Sequence, residues 1–342
     1  METGPEEEKV KAKLLSLIFC LVLALLFSSC GGEEAAAPVS RSEFALDTLC
    51  TVTLYDPADP ELLDEAFALI AAEEALLSRT VEGSDVWRVN QAAGESVTVS
   101  EDTAELISLG LEYSELSHGV FDITVGRLTE LWDLGGANHV PAEWELLPAL
   151  SSVDYRNLTL DGCQVTLSDP EARLELGAVA KGFIADRVAQ LLKEEGAKSA
   201  VIDLGGNVVT LGAKPDGEAW KIGVQQPFGA ERSELIGLIE AEGDLSLVTS
   251  GVYERNFERN GVLYHHILDP RTGFPAHTDV IGVTVVSASS ARGDALSTVC
   301  LLLGMEEGSR LLEADPDVLG AVWVDKDGEI YVQGDIDFTA AP

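Results

Sequence analysis

The chain has 342 residues, 46% of them hydrophobic, which places it among globular proteins long enough for a substantial core. Its 59 Asp and Glu against 22 Lys and Arg give a net charge of −37. A surface of that sign cannot neutralise phosphates along a backbone, so nucleic acid is excluded as a partner.

In chain order, the first thirty residues differ from the rest. Lys9, Lys11 and Lys13 precede an apolar stretch from Leu14 to Phe27 broken only by Ser16. Fourteen helical residues span roughly 21 Å, short of the ~30 Å hydrocarbon core, so this is a signal-peptide core and not a transmembrane helix. It ends in Phe27-Ser28-Ser29-Cys30-Gly31. Two readings stand: a plain cleaved secretory signal, or a lipoprotein signal over residues 1–29 with Cys30 lipidated. On the second, several acyl chains at ~0.8 kcal/mol per buried CH₂ anchor the protein to the membrane. Residues 30–41 then form the lipidated cysteine and a short tether, and 42–338 one domain. Apart from Cys20 within the signal and Cys30, the three cysteines Cys50, Cys163 and Cys300 are odd in number and irregular in spacing, which is neither a disulfide framework nor a metal pattern. They are expected to be buried thiols.

"FALDTLCTVTLY" (44–55) reads as a strand, and 60–78 as an amphipathic helix with Leu62, Ala66, Leu69, Ile70 and Leu77 at helical spacing. A helix over 101–117 stops near Gly119. Residues 156–176 alternate around Asp161-Gly162 as a hairpin, and strands follow at 200–211, 220–226, 234–241 and 280–288, with a last hairpin at Asp327-Gly328. Hairpins in mixed order with helices predict an α+β fold with largely antiparallel sheets and flanking helices. Gly205-Gly206 follows a strand but precedes another, so it opens no dinucleotide-binding helix.

Four segments are more polar than a core requires. In "HGVFDITVGRL" (118–128), Asp122 stands in an apolar run, as a strand-edge cap or a ligand contact. In "LELGAVAKGFIADRV" (174–188) a strand ending at Gly177 gives way to a helix whose small residues allow close backbone approach, and Lys181 in its first turns opposes the helix dipole. A bound anion explains that lysine; so does simple exposure. Between 249 and 276, Ser250, Tyr253, His265, His266, Asp269 and Arg271 crowd together, and the adjacent histidines point to opposite faces of a strand. In "GDALST" (293–298), Asp294 and Thr298 share a helix face, as hard oxygen ligands for Mg2+ or as an N-cap and a bystander.

Together, "ELGAVAKGFIADRV", "VIDLGGNV", "TSGVYERNF", "HHILDPRTGFPA" and "GDALST" closely resemble, in order and spacing, the bacterial FAD:protein FMN transferase family, often called ApbE. The resemblance covers roughly 42–335. It implies a T-fold-like α+β core with an FAD cleft, and Mg2+-dependent transfer of FMN from FAD to a Thr or Ser hydroxyl of an acceptor protein, with AMP released. Members are commonly secreted lipoproteins, in accord with Cys30 and a location on the extracytoplasmic face of the membrane. By the same analogy Asp294, Thr298 and the Ala178 carbonyl hold Mg2+. Val120, Phe121, Asp122, Glu175 and Lys181 contact FAD, Leu49 and Leu268 line the flavin site, and the region of His266 and Asp269 lies near the pyrophosphate. His266 is the expected base, with a carboxylate as the alternative. Acceptors are redox proteins with a Ser/Thr-Gly motif followed by a small residue and a hydroxyl; the chain's own "TSGVY" lacks these. Leu49-Cys50-Thr51 departs from the usual Met-Gly-Thr, Glu175 stands where Asp is commoner, and Val252 replaces an acidic or small residue. FAD binding without transfer, or FAD hydrolysis to FMN and AMP, are the alternatives.

Overall fold

A computed structural model describes residues 37–136, 138–231 and 233–341. The expected signal segment 1–29 and Cys30 lie outside the described residues, and no helix among those described is long and apolar enough to cross a membrane.

An antiparallel sheet of eight strands forms the centre. Its strands are β1 (Val39–Ala45), β2 (Thr48–Asp56), β6 (Ser199–Leu204), β7 (Asn207–Leu211), β10 (Leu245–Gly251), β13 (Val280–Ser287), β14 (Val318–Asp325) and β15 (Ile330–Gly334), adjacent in that order. The β-branched alternation along them sends successive side chains to opposite faces. Ala321 and Trp323 join the larger core, whereas Val322 and Val324 join a second one. Over the first face lie four helices: α1 (Pro60–Leu77) against β1 and β2, α6 (Ala180–Glu194) against β6 and β7, α7 (Ser290–Leu303) against β10 and β13, and α8 (Met305–Ala314) against β14. The second face is covered by a three-stranded sheet, β16 (Asp337–Ala340), β9 (Leu235–Ala241) and β8 (Trp220–Gln225), in that order. Trp220 of β8 meets Tyr55 of β2 edge-on at 5.1 Å.

The remaining elements cap the helical side. They are α2 (Asp85–Gln91), α3 (Glu101–Leu116), α4 (Gly126–Trp132), α5 (Glu143–Ser151), the small sheet of β3 (Val97–Thr98), β4 (Leu158–Asp161) and β5 (Gln164–Leu167), and the hairpin of β11 (Asn256–Arg259) and β12 (Val262–His265). Trp132, with its indole N–H on the Gly273 carbonyl at 2.7 Å, and Leu268 seat the α4–α5 pair in a third apolar cluster.

The α+β expectation with antiparallel sheets is met, and two local expectations are corrected. Residues 44–55 are not one strand: β1 and β2 join through Leu46 and Asp47, both left-handed at φ 54° and 56°. That conformation suits a two-residue hairpin turn, and nothing in the residue types announces it. Residues 174–177 are not a strand either. The Asn90 side chain of α2 accepts from the Leu174 N–H (2.6 Å) and donates to its carbonyl (3.0 Å), replacing the ladder a strand would need. Cys50 and Cys300 are buried thiols as expected, but Cys163 is only half-buried.

Glu73 on α1 is 3% exposed, and its Oε2 has no partner. Burial first, then the neighbouring Asp102 carboxylate, raise its pKa from 4.5 to about 7, against the attraction of Arg187. The folded state therefore holds a proton that the unfolded state loses, so stability falls as pH rises from about 4.5 to 7 and then levels off. Glu73→Gln is expected to stabilise the domain by about 1–3 kcal/mol at pH 8 and by little at pH 4.5, read from denaturant melts at the two pH values.

Candidate functional site

The helices α6 and α7 cross with their N-termini in contact and cap each other. The first-turn N–H of Gly182 in α6 is an orphan donor, since the N-cap residue Val179 offers no side-chain acceptor. Asp294 of α7 supplies it, accepting from Gly182 N at Oδ2, 2.9 Å. In return Asp186 of α6 accepts from Ser290 N (2.9 Å), Ala291 N (3.0 Å) and the Ser289 hydroxyl (2.9 Å) at the start of α7. The N-cap of α7 is Ser289, so Asp294 does not cap its own helix; that expectation is corrected. Asp294 caps the neighbour, from the second turn of α7.

The other oxygen of Asp294, Oδ1, lies 3.7 Å from Lys181 Nζ. The carboxylate is 3% exposed. Burial raises its pKa, and the Lys181 ammonium, then the Gly182 N–H, oppose that rise. The Asn207 amide of β7 faces the same carboxylate without closing a hydrogen bond of standard geometry. One turn along, the Thr298 hydroxyl is 3.4 Å from that of Ser250 on β10, which is 2.8 Å from the Ser297 hydroxyl. Hard oxygen donors from α7 and β10 thus converge beside one ammonium.

This cluster forms the floor of a cleft of about 830 Å³ that also takes in Leu49, Phe121, Asp122, Glu175, Ala178, His266 and Leu268. Of the residues expected to contact FAD, Val120 is not in its wall; it is buried at 8% exposure. Leu49 is 53% exposed, while the next residue, Cys50, turns into the core with its thiol on the Ala45 carbonyl at 3.5 Å. The glycine-to-cysteine departure therefore faces away from the cleft.

Several carboxylates in or beside the wall are already engaged. Asp122 accepts from Thr124 N (2.8 Å) and its hydroxyl (2.7 Å) at one oxygen and from Tyr155 N (2.8 Å) at the other, so it ties two loops together. Glu175 accepts from Gly177 N (2.9 Å) and pairs with Arg79 (2.6 Å). Asp269 is 8% exposed and organises the turn that follows it, accepting from Arg271 N (2.8 Å) and the Arg271 guanidinium; it is not in the cleft wall. The two histidines diverge as their strand placement requires. His265 is buried with Nε2 on the Ala276 carbonyl at 3.0 Å, and His266 opens into the cleft. Protein crowding the ring, then the Arg255 cation, hold the His266 pKa below 6.5, so its imidazole is neutral at pH 7.

Arg79, Arg255, Ser250 and Asn207 complete the arrangement. Arg255 lies within the quoted "TSGVYERNF" and Asn207 within "VIDLGGNV"; Arg79 has no motif around it. At the far side, the β6–β7 turn of Gly205 (φ 64°) and Gly206 (φ 97°) brings the strand ends to the wall, with Asp203 Oδ1 accepting from Gly206 N at 3.0 Å. Two consecutive left-handed residues make this turn a natural place for glycine.

Residues 46–323 match the ApbE family. The chain belongs to that family. It is 37% identical over 325 residues to a FAD:protein FMN transferase of Treponema pallidum (strain Nichols), covering 89% of each chain. A second relative of that name, from Klebsiella pneumoniae (strain 342), is 39% identical over 278 residues, covering 80% of this chain and 85% of its own. Among solved structures, the ApbE protein of Thermotoga maritima superposes with a TM-score of 0.79 at 31% identity, covering 87% of this chain and 97% of that one. The flavin transferase ApbE of Vibrio cholerae gives 0.78 at 28% identity, with the same coverage. The ApbE fold thus accounts for the mixed sheets and the helical face.

Proposed function

We propose that this chain is an FAD:protein FMN transferase, on the observation that Asp294, Thr298, Lys181 and His266 share one cleft in a protein of the ApbE family. The hydroxyl oxygen of an acceptor Thr or Ser forms a bond to the phosphorus on the FMN side of FAD. The bond to the bridging oxygen breaks, and AMP leaves with that oxygen. The hydroxyl proton passes to a base, and Nε2 or Nδ1 of neutral His266 accepts it. Lys181 opposes the negative charge that builds on the leaving phosphate.

The cleft wall carries eight carboxylates against three cations, Arg79, Lys181 and Arg255, among the described residues. A dianionic pyrophosphate enters such a site favourably only with added positive charge. No group of three or more His, Cys, Asp or Glu is placed to hold a metal among those residues. One carboxylate with hydroxyl and carbonyl oxygens nonetheless suits Mg2+, which keeps several waters and takes phosphate oxygens from the substrate. Asp294, Thr298 and Ala178 are the residues that would hold it. Bound there, Mg2+ would act as a Lewis acid on the phosphoryl oxygens.

Leu49, Phe121 and Leu268 offer the flavin an apolar wall, with Glu175 and Asp122 ordering the loops behind it. The membrane anchor at Cys30 belongs to the same proposal: the chain works on the extracytoplasmic face, on redox proteins exposed there.

The test is in-gel flavin fluorescence of a carrier protein bearing Thr-Gly-Ala-Thr, incubated with this chain, FAD and Mg2+. Labelling is expected, and it should vanish with EDTA or with both Thr of the motif changed to Ala. Labelling that survives EDTA would remove the metal from the account. With His266 held neutral, the transfer rate should be flat from pH 8 to 6.5 and decline only below that. An acid limb centred above 6.5 would point to another base.

A further inference from the structure

Resting on the transfer reading, one requirement remains: an acceptor backbone must come into the cleft. A Ser or Thr side chain carries its oxygen only one bond beyond Cβ, so the segment bearing it must run along the wall itself. We propose that this segment docks on the free edge of β8 as an added fourth strand, with Phe228 as its apolar anchor.

Of the edge strands among the described residues, β8 is the one whose residues form cleft wall: Ile222, Gly223, Val224 and Gln225. Its pairing is entirely with β9, from Trp220↔Ala241 to Gln225↔Leu235. In an antiparallel pair every second residue turns its N–H and C=O away from the partner strand. No backbone hydrogen bond to another element involves residues 220–225 among the described residues.

Free edges are commonly guarded by charge, proline or a covering element. Here the single charge on the strand, Lys221, is drawn toward Glu240 on β9 at 3.7 Å. The strand centre is Gly223, exposed and without a side chain to fend off a neighbour.

Beyond the strand end, the turn into β9 holds Phe228 with 55% of its surface exposed, edge-on to Tyr253 at 5.9 Å. Leu235, 37% exposed, continues this apolar rim into the cleft wall. A sheet edge supplying backbone hydrogen bonds, next to an apolar anchor, is the recognition mode used for extended peptides. Such an edge reads backbone more than sequence, which fits acceptors sharing only a short motif around the modified hydroxyl.

The experiment uses the full chain with FAD, Mg2+ and the Thr-Gly-Ala-Thr carrier. Phe228→Ala is expected to raise the KM for the carrier at least fivefold while the Kd for FAD and the kcat stay within twofold, and Phe228→Leu should recover most of the loss. Hydrogen exchange with an unreactive Ala-Gly-Ala-Ala carrier should slow at amides within 220–225. An unchanged KM, or slowing at 39–49 on the β1–β2 hairpin without any at β8, would overturn the proposal while leaving transfer intact. Failure of the parent chain to label the carrier at all would overturn the transfer reading and this one with it.

Discussion

Asp294→Asn is expected to fold and to bind FAD, yet to transfer FMN roughly 10²- to 10³-fold more slowly, the scale of losing one electrostatic group at a reacting phosphate. The substitution keeps the shape of the side chain and an oxygen for the Gly182 N–H, so the cap between α6 and α7 survives. What disappears is the negative charge. A carboxylate 3% exposed carries a desolvation cost, and its removal leaves Lys181, 28% exposed at its side chain, to be solvated by water. The melting temperature should therefore move by only a few degrees, in either direction. Asp294→Ala is a poorer probe, because it also leaves the Gly182 donor unsatisfied at a further cost of about 1–3 kcal/mol. Single-turnover transfer measured beside a thermal melt distinguishes the two. Full Mg2+-dependent transfer by a folded Asn variant would remove Asp294 from the metal site.

Gly182→Ala is expected to cost about 3 kcal/mol or more of stability and to abolish transfer. A Cβ at this position would lie 2.1 Å from the Ser290 carbonyl oxygen, 2.5 Å from its carbon and 2.8 Å from Ala291 N. These are backbone atoms at the head of α7, so no side chain can swing aside, and overpacking of this kind costs ~1–3 kcal/mol before any further rearrangement. The helices must part. Parting them breaks the reciprocal caps through Asp294 and Asp186 and carries Asp294 away from Lys181. The melting temperature should fall by roughly 5–10 °C, and FAD-dependent labelling should be lost even well below the melt. A variant that melts like the parent would show that α6 and α7 are less tightly held than this contact requires.

That helix pair also marks where sequence reading stops. The motif "GDALST" directs attention to Asp294 and Thr298, and both line the cleft. Taken locally, though, Asp294 looks like the cap of its own helix, because the donor it serves, Gly182, is 112 residues away. The Leu174 segment fails for the same reason: its hydrogen bonds come from Asn90, 84 residues earlier. Where the determinants are local, the reading is sound. The periodic apolar face of α1 places it at 60–77, against 60–78 expected, and the Asp161-Gly162 and Asp327-Gly328 turns fall between strand pairs. The Leu46-Asp47 turn escapes because both residues adopt left-handed backbone without the glycine or asparagine that usually signals it. Arg79 escapes because its role depends on Glu175 from a distant segment.

On the proposed function, the cleft moves FMN from FAD to a protein hydroxyl rather than to water. This is tested most directly by quantifying AMP, free FMN and protein-bound FMN in one reaction containing this chain, FAD, Mg2+ and the Thr-Gly-Ala-Thr carrier. One carrier-bound FMN, on a Thr hydroxyl of the motif by tandem mass spectrometry, is expected for each AMP released, with little free FMN. AMP matched by free FMN, with the carrier unmodified, would contradict it and make the protein an FAD pyrophosphatase.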